Sequence, residues 1–344
     1  MTLFARYFPV FVTPVCVALA IALGGYWVLL PAVVIWGLLP LLDPMVGLDL
    51  EDHDDGGRPG LLRALPRAYA LVHFGLLAWG LATAVRIHNP LELAGLILAM
   101  GIGGGVAIAV AHEMMHRKDA LDQRLAEFLM ASTTYTHFCV EHVSGHHKNV
   151  STPADPASAR YGESLYAFLP RTLIGGWRNA WGIEAARAAR AGASAYSLKN
   201  RLVVYLIAQV GLVGLIAAVF GPVGVLAFLG QSAIAVVLLE IINYVEHYGL
   251  GRQQLASGAF ERVRPEHSWN ASHRVSNAMI FNLARHSDHH ANVARVYHEL
   301  RHMESAPQLP AGYPTMILLA VVPPLWFRVM DPRVEALQGQ RAVA

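Results

Sequence analysis

Nine histidines fall into four short clusters, and their spacing points to metal chemistry. His112 and His116 stand in HEMMH, and His142, His146 and His147 stand in EHVSGHH. His247 stands in NYVEHYGL, and His286, His289 and His290 stand in RHSDHH. Residues four apart share a helix face, so three of the clusters contain a pair able to chelate from a helix. Imidazole suits zinc, copper, iron and nickel. A catalytic zinc needs only three protein ligands, so nine are a surplus for one ion and enough for two. A pair of ions with open positions for oxygen reads most naturally as iron. Four acids stand beside the clusters: Glu113, Asp155, Glu246 and Asp288. They either orient ring N–H groups from behind the ligands or ligate directly. No catalytic residue is indicated beyond the metal ligands.

Other readings compete with this one. HExxH alone also marks zinc proteases, with the Glu as general base, but such an enzyme has no use for the other seven histidines. Solvated surface histidines explain any one cluster but not four at ligand spacing. A metal-transport protein would place its ligands within membrane spans. The remaining histidines carry weaker signals. His73, inside an apolar stretch, reads as a hydrogen-bonding residue between helices. His137, His267 and His273 read as supporting the clusters, and His53, His88, His298 and His302 as solvated. Glu240 either faces the metal chamber or marks the membrane interface.

The elements that must position these clusters are apolar. The chain has 344 residues, 55% of them hydrophobic and 15% charged, where a soluble protein carries about 25% charged residues. A bilayer span needs about 20 mostly apolar residues. Six stretches qualify: 7–24, 26–42, 68–85, 91–110, 202–220 and 222–239. The first runs through a Gly-Gly turn straight into the second, so the pair reads as an uncleaved hairpin rather than a signal peptide. The expected fold is an all-α integral membrane protein of six transmembrane helices, with a His-rich catalytic region formed by 111–201 and 240–344. The whole chain, 1–344, reads as one membrane-embedded catalytic domain. With both termini cytoplasmic, Arg86 is the one member of the 26 Lys and Arg to fall in an outer turn. Cytoplasmic loops attract such residues, which orients the protein in a bacterial-type inner membrane. The apolar run 316–327 is too short to span and contains Pro323 and Pro324, so it is expected at the interface or packed on the domain.

Gly101, Gly103, Gly104 and Gly105 interrupt the fourth stretch. They lack the helix start and Lys-Ser/Thr of a phosphate loop and suit close helix approach instead. Ile35, Trp36 and Gly104 are candidates to line a substrate channel. A net charge of +2 argues against a nucleic-acid partner. Two cysteines, Cys16 and Cys139, exclude a disulfide framework and a fused iron–sulfur module. Electrons for any redox chemistry must therefore come from another protein, and a basic cytoplasmic face can steer a small acidic carrier.

HEMMHRKD, EHVSGHHKNVSTPADPASAR, NYVEHYGLGR and RHSDHHANVARVYHELR together resemble the integral-membrane alkane monooxygenases. PEHSWNASHRVSNAMIFNLARHSDHH, GYPTM and WFRVMDPRV extend the resemblance, which runs from about residue 38 to Val334. NYVEHYG is the motif that separates this group from the fatty acid desaturases. The histidine spacings are kept, although the first box reads HEMMHRK and the fourth is preceded by NLA. The resemblance implies a non-haem di-iron site, two Fe ions held by the nine histidines. It also implies dioxygen as oxidant, and rubredoxin or ferredoxin as electron donor with an NAD(P)H-dependent reductase. The implied reaction is hydroxylation of the terminal methyl of n-alkanes. A xylene-type alkyl-aromatic methyl monooxygenase is the alternative, and a membrane desaturase a more remote one.

Overall fold

The computed structural model describes residues 6–52 and 59–343; His53 lies outside them. Among the described residues every regular element is helical. Strand pairing is limited to isolated bridges such as Leu48 with His273. In chain order the helices are α1 (Val12–Leu23), α2 (Gly25–Val46), α3 (Pro59–Ala84), α4 (Pro90–Met115), α5 (Ala120–Ser132) and α6 (Phe138–Glu141). They continue with α7 (Leu165–Arg190), α8 (Arg201–His247), α9 (Arg274–Met279), α10 (His286–Ala291), α11 (Tyr313–Ala320) and α12 (Pro323–Val343).

All six apolar stretches are helical. The fifth and sixth run together in α8, which breaks where the sequence places a Gly-Pro turn: Gly221 sits at φ 63°, ψ −166°. That left-handed φ is open to glycine at little cost. Gly24, at φ 60°, makes the corresponding turn between α1 and α2. Helix starts follow from caps. The Asn89 side chain accepts from the backbone N–H groups of Leu91 and Glu92, with Pro90 at the first helical position. Asp119, Ser164 and Asn200 cap α5, α7 and α8 in the same way. By length and apolarity, α2, α4 and α8 each suffice to cross a membrane.

The glycines of α4 set how this scaffold packs. A Cβ on Gly101 would stand 2.6 Å from Ile234, and one on Gly104 would stand 2.9 Å from both Ala235 and the Gln231 side chain. Gly105 faces Leu238 and Gly103 faces Val17. The second half of α8 therefore lies close along α4, as small residues permit in lipid. α4 carries His112 in its last turn, and α8 ends on His247. Gly104 thus serves this helix contact, and its neighbour Gly105 takes the place expected for it on the cavity wall.

The run 316–327 forms parts of α11 and α12, which meet at a bend of 118°. Met316, Trp326 and Met330 are buried against Tyr244 and Tyr248 at the end of α8. The Trp326 and Tyr244 ring centroids are 4.9 Å apart. Burying each such side chain contributes about 1.5–3 kcal/mol, and this packing holds the last turns of α8 in place.

Candidate metal centre

Four segments deliver the nine histidines to one buried chamber. Nitrogen atoms of His112, His116, His142, His147 and His289 lie within 4.8 Å of one another, and those of His146, His247, His286 and His290 do the same. The groups adjoin, with the His147 and His290 rings 4.4 Å apart.

The division between groups departs from simple helix spacing. His112 and His116 stay together, as do His286 and His290, but His142 and His146 separate. After α6 the backbone winds into a π-helical turn, His142–His146, and the N–H of His147 bonds to the carbonyl of His142. In a π-turn the backbone hydrogen bond spans five residues rather than four, which here brings residues five apart together. His142 and His147 therefore share a face, with their Nε2 atoms 3.0 Å apart. His146 turns to the other group, and its Nε2 stands 3.2 Å from that of His290. His289, one residue before His290, joins the first group.

The ring nitrogens are arranged for cations. His147 Nε2 faces the Nε2 atoms of His116, His142 and His289 at 3.2, 3.0 and 3.1 Å. One neutral ring nitrogen carries either a proton or a lone pair, so it cannot satisfy three such neighbours by hydrogen bonding. A shared metal ion does satisfy them. At metal–nitrogen bonds of about 2.0–2.1 Å, nitrogens at right angles stand about 2.9 Å apart. His286 Nε2 likewise faces those of His247 and His290 at 3.2 and 2.8 Å. Both ring nitrogens of buried His112 have no protein partner. Burial and the neighbouring rings hold His142, His147, His286, His289 and His290 well below the ordinary imidazole pKa. They are therefore neutral, as ligation requires. The donor set fits a pair of imidazole-loving divalent ions.

The four acids divide into two pairs. Asp155 accepts from His146 Nδ1 at 2.9 Å and is itself held by the Ser158 hydroxyl. Burial alone would lower the pKa of His146, but the Asp155 carboxylate outweighs it and raises the value to about 9. Glu246 reaches His286 Nε2 at 3.2 Å through one oxygen and accepts from the Tyr313 hydroxyl with the other. Glu113 and Asp288 act on the chain around the chamber. Glu113 binds Arg117 and the N–H of Tyr297. Asp288 accepts from Asn292, Arg295 and the N–H of Arg301. Both acids thereby fix the strap that follows α10.

Two further supports lie outside the expected ligand and acid set. Arg285, fully buried beside His286, bonds Asp49 and the carbonyls of Leu300 and Glu51. Arg6 pairs with the same Asp49. The other histidines are varied. His73 bonds Ser132 across helices at 2.9 Å, in keeping with its expected role. His137 is buried against Tyr135 and Trp177, and His267 is buried and bonds Glu261. His273 is half-buried ahead of α9 and His88 is exposed. Two expectations need correction: His298 is buried, not solvated, and His302 is half-buried with Nδ1 on Ser272. Both lie in the strap that Asp288 and Arg285 fold inward. Glu240 faces neither chamber nor interface; it is buried among Tyr135, Thr172 and Asn243.

An apolar cavity opens onto both groups. Ile35 and Trp36 line it, from a π-helical stretch of α2, along with Ile102, Gly105 and Val106 of α4 and Leu238 and Leu239 of α8. Its inner end meets His112, His142, His286 and Glu246. A metal pair here would face a space with little for a polar molecule to bond.

The fatty acid desaturase family model matches residues 88–320. The chain is 45% identical over 321 residues to alkane 1-monooxygenase 2 of Pseudomonas aeruginosa, covering 90% of this chain and 85% of that one. It is 42% identical to alkane 1-monooxygenase 1 of the same organism, covering 91% and 84%. The xylene/toluene monooxygenase hydroxylase component of Pseudomonas putida is 29% identical over 98% of this chain and 93% of its own length.

Proposed function

The chain belongs to the fatty acid desaturase family, in its alkane monooxygenase branch, and from that premise we propose that it hydroxylates the terminal methyl group of n-alkanes. The reaction consumes dioxygen, two electrons and two protons, and yields a primary alcohol and water. The observation that carries this reading is the apolar cavity ending on His112, His142 and His286, so that both histidine groups border one substrate space.

The nine histidines are the ligands of two iron ions. When bound, the pair supplies reductive activation of dioxygen. The protein does the rest. The aliphatic walls exclude water, and they hold a chain that offers no hydrogen-bonding handle by shape alone. Ile35 and Trp36 bound the space from α2. Asp155 fixes the orientation of His146, and Glu246 sets a carboxylate at the inner end of the cavity beside His286. Closer identity to the alkane enzymes than to the alkyl-aromatic one favours alkanes.

Six spans cross the bacterial inner membrane, with 111–201, 240–344 and both termini on the cytoplasmic side. The whole chain is one catalytic domain, and alkane enters from the lipid. Rubredoxin or ferredoxin, reduced by an NAD(P)H-dependent reductase, brings the electrons. In support, the chain's two cysteines are free and buried, too few to hold an iron–sulfur centre of its own.

Membranes loaded with iron and supplied with rubredoxin, reductase, NADH and oxygen-18 gas provide the test. Labelled primary alcohols from a graded n-alkane panel are the expected result. Label confined to benzylic alcohols from toluene and xylene would move the protein to the alkyl-aromatic class.

A further inference from the structure

Reduction of dioxygen to an alcohol oxygen and a water takes up two protons each cycle, and the substrate cavity is walled almost entirely by carbon. Protons therefore need a route that the alkane does not use. A second, smaller cavity lies behind the first, between α6, α7 and α8. Its wall mixes the polar side chains of Tyr135, His137, Glu141, Thr172, Glu240 and Asn243 with Phe138, Pro156, Ala157 and Gly176. It has room for about one water molecule.

Glu240 is the centre of this cavity. The side chain is 2% exposed. Tyr135 donates to one carboxylate oxygen at 2.7 Å; Thr172 and Asn243 donate to the other at 2.8 and 3.2 Å. Asn243 lies in the walls of both cavities, so the carboxylate is one side chain away from the substrate space. On the outer side, half-buried Asn179 of α7 bonds Glu141, which lines the same small cavity. Asn179 and Glu141 thus lie on one side of the small cavity and Glu240 with Asn243 on the other, next to the substrate cavity. A buried carboxylate is costly and marks function within a membrane protein by default, and Glu240 touches none of the nine histidines. Its place is two helical turns before His247 on α8.

We propose that Glu240 is the proton shuttle of the reaction. It takes up a proton that enters from the α7 side through water in the small cavity, that water gaining one proton as it gives one up, and passes it beyond Asn243 to the oxygen being reduced at the histidine end of the substrate cavity. It returns to the carboxylate each time, and two such passages supply the two protons that accompany the two carrier electrons. Tyr135 and Thr172 hold the carboxylate in position between transfers. This rests on the monooxygenase reading above.

The test compares wild type, Glu240→Gln and Glu240→Asp in iron-loaded native membranes with the rubredoxin system. Alcohol formed, dioxygen consumed, hydrogen peroxide released and iron retained are measured in H2O and D2O. Gln keeps the size and much of the hydrogen bonding but cannot relay a proton. The expected result for Glu240→Gln is wild-type iron content and alcohol formation down about 100-fold, in the range of lost acid–base catalysis. A larger share of dioxygen should leave as peroxide, and the solvent isotope effect should rise. Glu240→Asp should recover much of the coupling. Wild-type coupling and isotope effect in Glu240→Gln would overturn the proposal and leave the monooxygenase reading intact. Iron loss in both variants would also overturn it, making the carboxylate a structural knot. Absence of alcohol from the wild type itself would remove the monooxygenase reading, and the shuttle with it.

Discussion

The two histidine groups are built from the same side chain and are not alike. In the five-membered group His116 and His147 are half-buried, and the ring partners are other rings. In the four-membered group every member is buried, and two carboxylates stand against the rings, Asp155 on His146 and Glu246 on His286. Charge in a low-dielectric interior must be compensated, while charge near water need not be. The difference assigns complementary duties. On the proposed reading, the half-buried edge at His116 and His147 is the side from which an external carrier would approach the centre. The deep group sits under acids that would balance a cation bound there.

The comparison yields ordered predictions. The largest effect is expected from His286→Ala, which removes a ring that contacts two others and Glu246. Turnover should fall to background and bound iron should drop toward half, as metal analysis and oxygen-18 incorporation would record. Full activity in this variant would remove His286 from the ligand set. Next, a hydrophilic chelator should strip iron in two phases, the ion of the half-exposed group leaving first. A single phase for both ions would erase the distinction between the groups. Asp155→Asn should cost about 10–100-fold in metal affinity or activity, the usual loss when a ligand's orienting partner goes. The smallest change in rate is expected from Trp36→Ala. It enlarges the cavity on its α2 wall, so turnover on a preferred alkane should change little while the product range shifts to longer chains. An unchanged range in gas chromatography would take Trp36 out of the substrate space.

Much of the site was legible because helical spacing and residue type carry it. The nine histidines were identifiable as a set, and Ile35 and Trp36 do line the cavity. What spacing could not give was the assortment into groups. It pairs His142 with His146, and the π-turn undoes that by bringing residues five apart together. Such a turn depends on packing around the helix rather than on the identity of His-Val-Ser-Gly-His. The acids show the same limit. All four neighbour histidines in sequence, yet only Asp155 and Glu246 reach a ring, since Glu113 and Asp288 point to backbone some distance along the chain. Gly104 and Gly105 both face α8 and were separable only by which of them reaches the cavity wall. His298 looked solvated because it stands among charges, and its burial comes from the long-range fold of the strap. Glu240 was visible as an acid at the end of an apolar stretch, but its partners Tyr135 and Thr172 lie 105 and 68 residues away.

The candidate ligands are spread along the chain from α4 to α10, and neither group is complete without α10. That distribution has a consequence for how the protein is made. Synthesis runs from the N-terminus, so the first two clusters leave the ribosome long before His286, His289 and His290. Until then His112, His116, His142 and His147 form a partial cage on a nascent chain whose last helices are not yet in place. Loading of both ions must therefore follow insertion of the whole bundle. A ribosome stalled between residues 250 and 280 would hold a membrane-inserted chain unable to complete either group.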